Sequence, residues 1–223
     1  MADFQSAGRG RLGRRWEAPP GANLLASVLL RPALDPSRLH LTTVVVALAA
    51  ADACAQIADV RPDLKWPNDL YVGRCKLAGI LAESVRDAVV VGLGLNVRWP
   101  APDSATQEPP LPLELEGLAT SLWRERDSSE GASELDPRVV LDLVLAGLEH
   151  RLVDLSHPDG QRRQAAEYRS RCVTVGKRVE VSTGARAIRG IVVDVTDEGH
   201  LAVEEAEAGR ITTVTAGDVL SFD

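Results

Sequence analysis

Apolar residues along this chain fall into long blocks as far as about residue 172, and into short, regularly broken runs beyond it. Residues 23–30 (NLLASVLL) form a nearly continuous apolar run closed by Arg31-Pro32, which predicts a buried strand. Pro36 and Ser37 open a helix expected to reach about residue 58, with Leu39, Val46, Ala50 and Ala53 at helical spacing. The β-branched stretch 42–46 weakens its helix propensity. Residues 63–66 end a strand, Pro67-Asn68-Asp69 is a turn, and residues 70–72 and 76–84 form a hairpin about Gly73. Residues 88–95 (AVVVGLGL) are a strongly apolar strand. Five prolines make residues 99–112 a loop. Helices are expected near 115–124, 137–155 and 161–171, with Pro137 suited to a first helical turn. The polar stretch 127–134 reads as a mobile link.

After Val173 the runs 179–181, 187–195, 201–205 and 211–214 are short and β-rich. Turn signals separate them at Thr183-Gly184, Asp197-Glu198-Gly199 and Ala208-Gly209. Closely spaced strands and turns predict a small β-barrel. The expected organisation is an α+β unit over residues 1–172 and a β-barrel unit over residues 173–223. No internal repeat is visible.

The 223 residues are 45 % apolar and 26 % charged, an ordinary globular balance with material for a core. A net charge of −7 argues against a general nucleic-acid binder. No run approaches the ~18 apolar residues of a membrane span, and residues 1–10 lack a signal-peptide core. Cys54, Cys75 and Cys172 have no metal spacing and fit a reducing cytoplasm. Of the 25 basic residues, 22 are arginine, leaving only Lys65, Lys76 and Lys177. A lysine kept in such a chain marks either chance or a need for a compact ammonium.

Three blocks carry candidate chemistry. Gly8-Arg9-Gly10-Arg11-Leu12-Gly13-Arg14-Arg15-Trp16 lets the backbone approach a ligand, offers guanidinium forks to phosphate or carboxylate, and supplies an indole to stack or cover. It also reads as a solvated basic loop. Lys65-Trp66-Pro67-Asn68-Asp69, with Lys76-Leu77-Ala78-Gly79-Ile80-Leu81 beyond it, reads as a nucleotide- or Mg²⁺-binding turn beside a lysine, or as an ordinary Pro-Asn turn. Lys76 sits among apolar neighbours, where an ammonium needs an anion or a path to water. Gly92-Leu93-Gly94-Leu95-Asn96 is a close-approach turn or strand punctuation, and it lacks the third glycine of a dinucleotide fingerprint.

In order and spacing, these blocks resemble the catalytic domain of biotin–protein ligases: a GRGRxGRxW loop, KWPND, KLAGIL followed by an acidic residue (Glu83), then GxGxN. Residues 173–223 are similar to that family's SH3-like C-terminal domain. The resemblance implies a mixed or antiparallel sheet packed with helices, of the biotin/lipoyl ligase and class II synthetase type. It implies ATP and Mg²⁺ as co-reactants, biotin as substrate, and a biotin carboxyl carrier domain of an acyl-CoA carboxylase as partner. It also leaves a homodimer open. Lys76 and Arg11 would be catalytic. Gln5, Gly8, Arg9, Gly10, Arg11, Lys76, Gly79, Leu81, Gly92 and Gly94 would bind biotin. Arg9, Arg11, Trp16, Lys65, Asn68, Asp69, Lys76 and Asn96 would bind ATP or the adenylate. His40, His150, His157 and His200 fall outside the motifs and read as surface or packing residues.

Family members carry further catalytic-domain residues before the glycine-arginine loop, so the resemblance implies that the chain begins inside that domain, through a misplaced start or a real shortening. No helix-turn-helix precedes the loop, so DNA is not an expected partner. A lipoate-type ligase, a weakly active or non-catalytic biotin or adenylate binder, and more distantly a nucleic-acid protein are the alternatives.

Overall fold

The computed structural model describes residues 1–101, 109–126, 135–184, 186–207 and 209–222. The expected link 127–134 and part of the proline-rich loop lie outside them. The first unit holds β1 (Leu24–Leu30), α1 (Leu41–Ala58), β2 (Asp63–Lys65), β3 (Asp69–Val72), β4 (Cys75–Val85), β5 (Ala88–Leu95), α2 (Leu122–Glu125), α3 (Pro137–Leu155) and α4 (Pro158–Ser170). Its strands form one antiparallel sheet in the order β1-β5-β4-β3-β2.

The helix α1 shows burial overriding propensity. Every residue from Leu41 to Ala51 is buried, including the β-branched Thr42–Val46 stretch. A helix apolar on all sides belongs inside a core. Burying each large aliphatic side chain there contributes roughly 1.5–3 kcal/mol, more than the few tenths lost to β-branching. The Thr42 hydroxyl donates to the Leu39 carbonyl at 2.7 Å, which removes the cost of enclosing it. Contrary to the expectation that no run approaches a membrane span, Pro36–Ala58 is long and apolar enough to cross one, but 72 % of its most apolar window lies inside the fold. A short 3-10 turn, Pro36–Arg38, precedes the helix, so α1 starts later than proline 36 suggests.

The expected helix over 115–124 is a correction. The structure has a 3-10 turn at Leu113–Leu115 and only the short α2. Gly117 turns to φ +69 between them. The backbone there pairs with the start of β4 instead: Lys76 N donates to Leu118 O at 2.8 Å and Thr120 N to Lys76 O at 3.0 Å. The last expected helix begins three residues early, at Pro158 in α4.

The second unit is a five-stranded antiparallel sheet of β6 (Arg178–Ser182), β7 (Ala187–Val195), β8 (Leu201–Glu205), β9 (Ile211–Val214) and β10 (Asp218–Phe222), in the order β10-β6-β7-β8-β9. The strand β10 was not among the four expected runs; its mixed DVLSF pattern gives no alternation strong enough to announce it. The end of the first unit is held to β2, where Leu64 N donates to Arg171 O at 3.0 Å, and the second unit is tied to the same residue, Val173 N donating to Leu64 O at 2.9 Å. Trp66, 1 % exposed, donates its indole N–H to Gly199 O at 3.1 Å.

Candidate functional site

One face of the first sheet packs on α1 through Val91, Leu93 and Leu95 of β5 and Ala78 and Ile80 of β4. Because side chains alternate, the other face carries the neighbours of these residues. Register places Gly79 opposite Gly94, Leu81 opposite Gly92, and Glu83 opposite Val90. Three glycines thus form a floor without side chains, beneath a cavity of about 590 Å³.

The pairing of β3 with β4 explains how a lysine reaches this floor. Leu70 pairs with Ala78, but the next residue, Tyr71, pairs with Lys76. Leu77 is the extra residue of a β-bulge, which re-aims the side chain before it. Without the bulge, Lys76 would share the helix-facing side with Ala78 and Ile80. With it, Lys76 joins Gly79, Asp69 and Tyr71 on the cavity face. Lys65, opposite Asp69 on β2, joins them.

Lys76 Nζ lies 2.7 Å from Asp69 Oδ1 and 5.7 Å from the Trp16 ring centroid. Asp69 Oδ1 is shut off from solvent and makes no aligned hydrogen bond, so its contact with Lys76 is an ion pair alone. Lys65 Nζ stands 4.7 Å over the Tyr71 ring. Burial lowers the Lys65 pKa, against the opposing pull of Asp69. Burial, reinforced by Asp69, pushes the Tyr71 phenol up to about 12.

The glycine-arginine segment closes the cavity as a tight hairpin-like loop. Gly10 N donates to Arg14 O at 2.7 Å, and Trp16 N to Gly8 O at 3.1 Å. Gly8 is required there: a Cβ would sit 2.2 Å from the Trp16 carbonyl oxygen. At the tip, Leu12 adopts φ +53 and stays 70 % exposed. The Trp16 indole lies directly on the floor, with Cε2 2.5 Å from where a Cβ on Gly94 would be. Arg9 pairs with Glu83 at 3.2 Å, and Arg11 turns toward the second unit.

Of the residues expected from the sequence, all but Gly8 line this cavity. Gly8 lines a second cavity of about 980 Å³ on the other side of the loop, bordered also by His40, Thr43, Asn68, Thr215 and Ala216. Two expected residues are engaged within the fold. Asn68 Nδ2 donates to Ile80 O at 2.6 Å, clipping the turn to β4. Asn96 accepts from Asn23 Nδ2 at 3.0 Å and donates to Thr120 O at 2.8 Å. Sequence reasoning missed Asn23, Tyr71, Asp218 and His40. Asn23 takes N–H donors from Val97 and Trp99, each at 3.0 Å, and so locks β1 to the end of β5. An isolated asparagine at the head of an apolar run carries no sequence signal for that role. The His40 imidazole is enclosed beside Trp66 and His200. Its pKa is pushed down to about 4 by burial, then by the charges of His200 and Arg11.

Known proteins are similar to this chain in sequence and in fold. The family model described as the biotin/lipoate A/B protein ligase family matches residues 1–96, and the biotin protein ligase C terminal domain matches residues 174–220. A biotin–[acetyl-CoA-carboxylase] ligase of Mycobacterium tuberculosis is 36 % identical over 99 % of this chain and 77 % of its own length. A protein of the same description from Paracoccus denitrificans is 32 % identical over 94 % of this chain and 85 % of its own. The solved biotin protein ligase from Aquifex aeolicus, in complex with biotin and ATP, superposes with a TM-score of 0.78 at 29 % identity, covering 100 % of this chain and 87 % of that one. With a glycine-floored cavity, a bulge-directed lysine and a C-terminal β-unit on the same scaffold as these relatives, the chain belongs to the biotin protein ligase family.

Proposed function

We propose that this chain joins biotin to ATP, forming biotinyl-5′-AMP and releasing pyrophosphate, and then transfers biotin to a lysine of a biotin carboxyl carrier domain, releasing AMP. The observation that carries this reading is Lys76: an ammonium brought by a bulge onto a floor of glycines, with Arg9 and Arg11 at the same cavity. In the first step a carboxylate oxygen attacks the α-phosphorus, so two anions must approach. Fixed cations offset that repulsion and stabilise the charge that spreads in the transition state. Lys76 exchanges Asp69 for the reacting oxygens, and Arg11 meets the phosphates. Gln5, Gly10, Gly79, Leu81, Gly92 and Gly94 shape the biotin end, while Gly8, outside that lining, lets the loop close against the Trp16 carbonyl. Trp16, Lys65, Asn68, Asp69 and Asn96 border the nucleotide.

Among the described residues, no group of three His, Cys, Asp or Glu side chains is placed to hold a metal. A magnesium ion carried by phosphates needs only one or two protein carboxylates, and Asp69, with its enclosed and unaligned Oδ1, suits that part. When bound, the ion would neutralise phosphate charge. The mixed anhydride is prone to hydrolysis, and the loop with Trp16 keeps water from it. In the second step a neutral acceptor amine attacks the acyl carbon, so no nucleophile of this chain is needed. The biotin-type C-terminal match over residues 174–220 favours biotin over lipoate.

The test is pyrophosphate release with ATP and either biotin or lipoate, followed by streptavidin detection of a carboxyl carrier domain. Biotin-dependent release and labelling are expected. Release with lipoate alone, or biotin binding without release, would contradict the proposal.

A further inference from the structure

The smaller cavity is strongly cationic, in a chain whose net charge is −7. The glycine-arginine loop brings Arg9, Arg11, Arg14 and Arg15 to it, with Glu17. The strand β2 brings Lys65, β3 brings Asp69 and Tyr71, the β3–β4 turn Arg74, β4 Lys76 and Glu83, and β10 Asp218. Seven cations against four carboxylates leave a surplus of three positive charges. Each carboxylate is already held by a cation: Glu83 by Arg9, Asp218 by Arg11, Glu17 by Arg15 and Asp69 by Lys76. Arg14 and Arg74 make no ion pair among the described residues. Lys65 registers the local field: burial lowers its pKa, and Lys76 and Arg14 add to that against Asp69.

The transfer step asks something of this cavity that adenylation does not. A lysine side chain, with an ordinary pKa of about 10.4, is an ammonium at neutral pH and must lose a proton before its nitrogen can attack. Among the described residues, no side chain lining the cavity is fit to take that proton. The carboxylates are all ion-paired. The Tyr71 phenol, pushed up to about 12 by burial, keeps its own proton. The lining holds no histidine, since His40 borders the larger cavity instead. Neighbouring positive charge offers another route, because like charges disfavour the charged form of an amine. Arg74 is placed for it. Val72 pairs with Cys75, so Gly73 and Arg74 form the hairpin tip, and Arg74 stands exposed at the edge of the cavity close to Lys76 in the chain.

We propose that this surplus of cations drives the transfer step by making the acceptor lysine shed its proton to solvent as it enters, in place of a general base, and that Arg74 serves this step rather than adenylation. This rests on the proposed function and details its second step. The phosphate of a bound adenylate offsets one surplus charge and leaves the cavity cationic. The acceptor ammonium releases a proton to water, and its nitrogen forms a bond to the acyl carbon of biotinyl-5′-AMP. The acyl C–O bond breaks, its electron pair leaves on AMP, and the nitrogen's surplus proton passes to water. Arg74 touches no reacting atom; it acts on the amine through its charge.

The experiment supplies ready-made biotinyl-5′-AMP to the full chain and to Arg74→Ala, Arg74→Glu and Arg74→Lys. Single-turnover transfer to a saturating biotin carboxyl carrier domain is followed from about pH 6 to about pH 10, across the range where an amine loses its proton. Hydroxylamine, an amine already neutral at physiological pH, replaces the carrier domain as a control, and pyrophosphate release from ATP and biotin is read alongside. Transfer should rise with pH to a plateau. Arg74→Ala should move the midpoint up by about half a unit and Arg74→Glu by about one, slowing transfer at neutral pH roughly threefold and roughly tenfold, with the plateau unchanged. Arg74→Lys should keep the parental midpoint, and added salt should shrink the differences. Transfer to hydroxylamine and pyrophosphate release should stay parental. An unmoved midpoint in Arg74→Glu would overturn the proposal. So would a lowered plateau at the parental midpoint, or an equal loss with hydroxylamine. If the unaltered chain releases no pyrophosphate and transfers nothing from the supplied adenylate, the proposed function falls and this inference with it; if both steps run and Arg74→Glu keeps the parental midpoint, only the inference falls.

Discussion

Gly94 shows how little spare room the cavity floor has. Any Cβ there would press into the Trp16 indole, whose Cζ2 and Nε1 are both 2.8 Å from that point. The indole must then move, and its Nε1, already enclosed without a hydrogen-bond partner, gains nothing by shifting sideways along the floor. Overpacking of this kind costs about 1–3 kcal/mol. Gly94→Ala is therefore expected to weaken biotin binding roughly 10- to 100-fold in a calorimetric titration, on the scale of 1.4 kcal/mol per decade. An unchanged affinity would mean that the ligand does not use this floor. Asn96 teaches the opposite lesson. It borders the cavity, but its amide is committed to Asn23 and Thr120, so it supports the wall through geometry fixed before any ligand arrives.

At the scale of elements, the strands and the long helices could be read from apolar runs, while the details that aim side chains could not. The runs at 23–30 and 88–95 are the edge-adjacent pair β1 and β5, and the apolar block after Pro36 is α1. The site blocks were legible because glycine and lysine stand out against their surroundings. The bulge at Leu77 was not legible: strict alternation puts Lys76 on the helix-facing side, and only the β3–β4 register shows the shift. The segment 115–124 misled because its apolar spacing suits a helix, whereas Gly117 and pairing with Lys76 decide its path. Asn23 is a second hidden determinant. One side-chain oxygen accepts from two buried backbone N–H groups, of Val97 and Trp99. Leaving both unsatisfied costs about 2–4 kcal/mol. Asn23→Ala should lower the urea midpoint by the corresponding amount with little change in slope, and a variant as stable as the parent would show that the link between β1 and β5 is not held this way.

Across the whole molecule, the two sheets meet over the larger cavity, and the contacts there set a pH dependence. Trp66 reaches Gly199, Arg38 pairs with Glu198 at 3.0 Å, and His40 is enclosed between Trp66 and His200. The His40 pKa lies near 4 in the folded chain against 6.5 when free. Below pH 6.5 the unfolded chain takes up a proton that the folded chain refuses, so this stability is complete above pH 6.5 and drains away as the pH falls toward 4. The loss is on the order of 2–3 kcal/mol. Urea titrations at stepped pH should show it, and His40→Gln should flatten that part of the profile; a variant with the parent's slope would assign the acid sensitivity elsewhere. The function proposed for the assembled molecule depends on one ammonium at the glycine floor. Its most direct measurement is biotin-dependent pyrophosphate release by Lys76→Ala and Lys76→Arg, each with its unfolding midpoint determined alongside. The predicted result is two folded variants whose release falls by about 10²- to 10³-fold, the planar guanidinium failing to replace the compact ammonium. Near-parental release by folded Lys76→Ala would contradict the account.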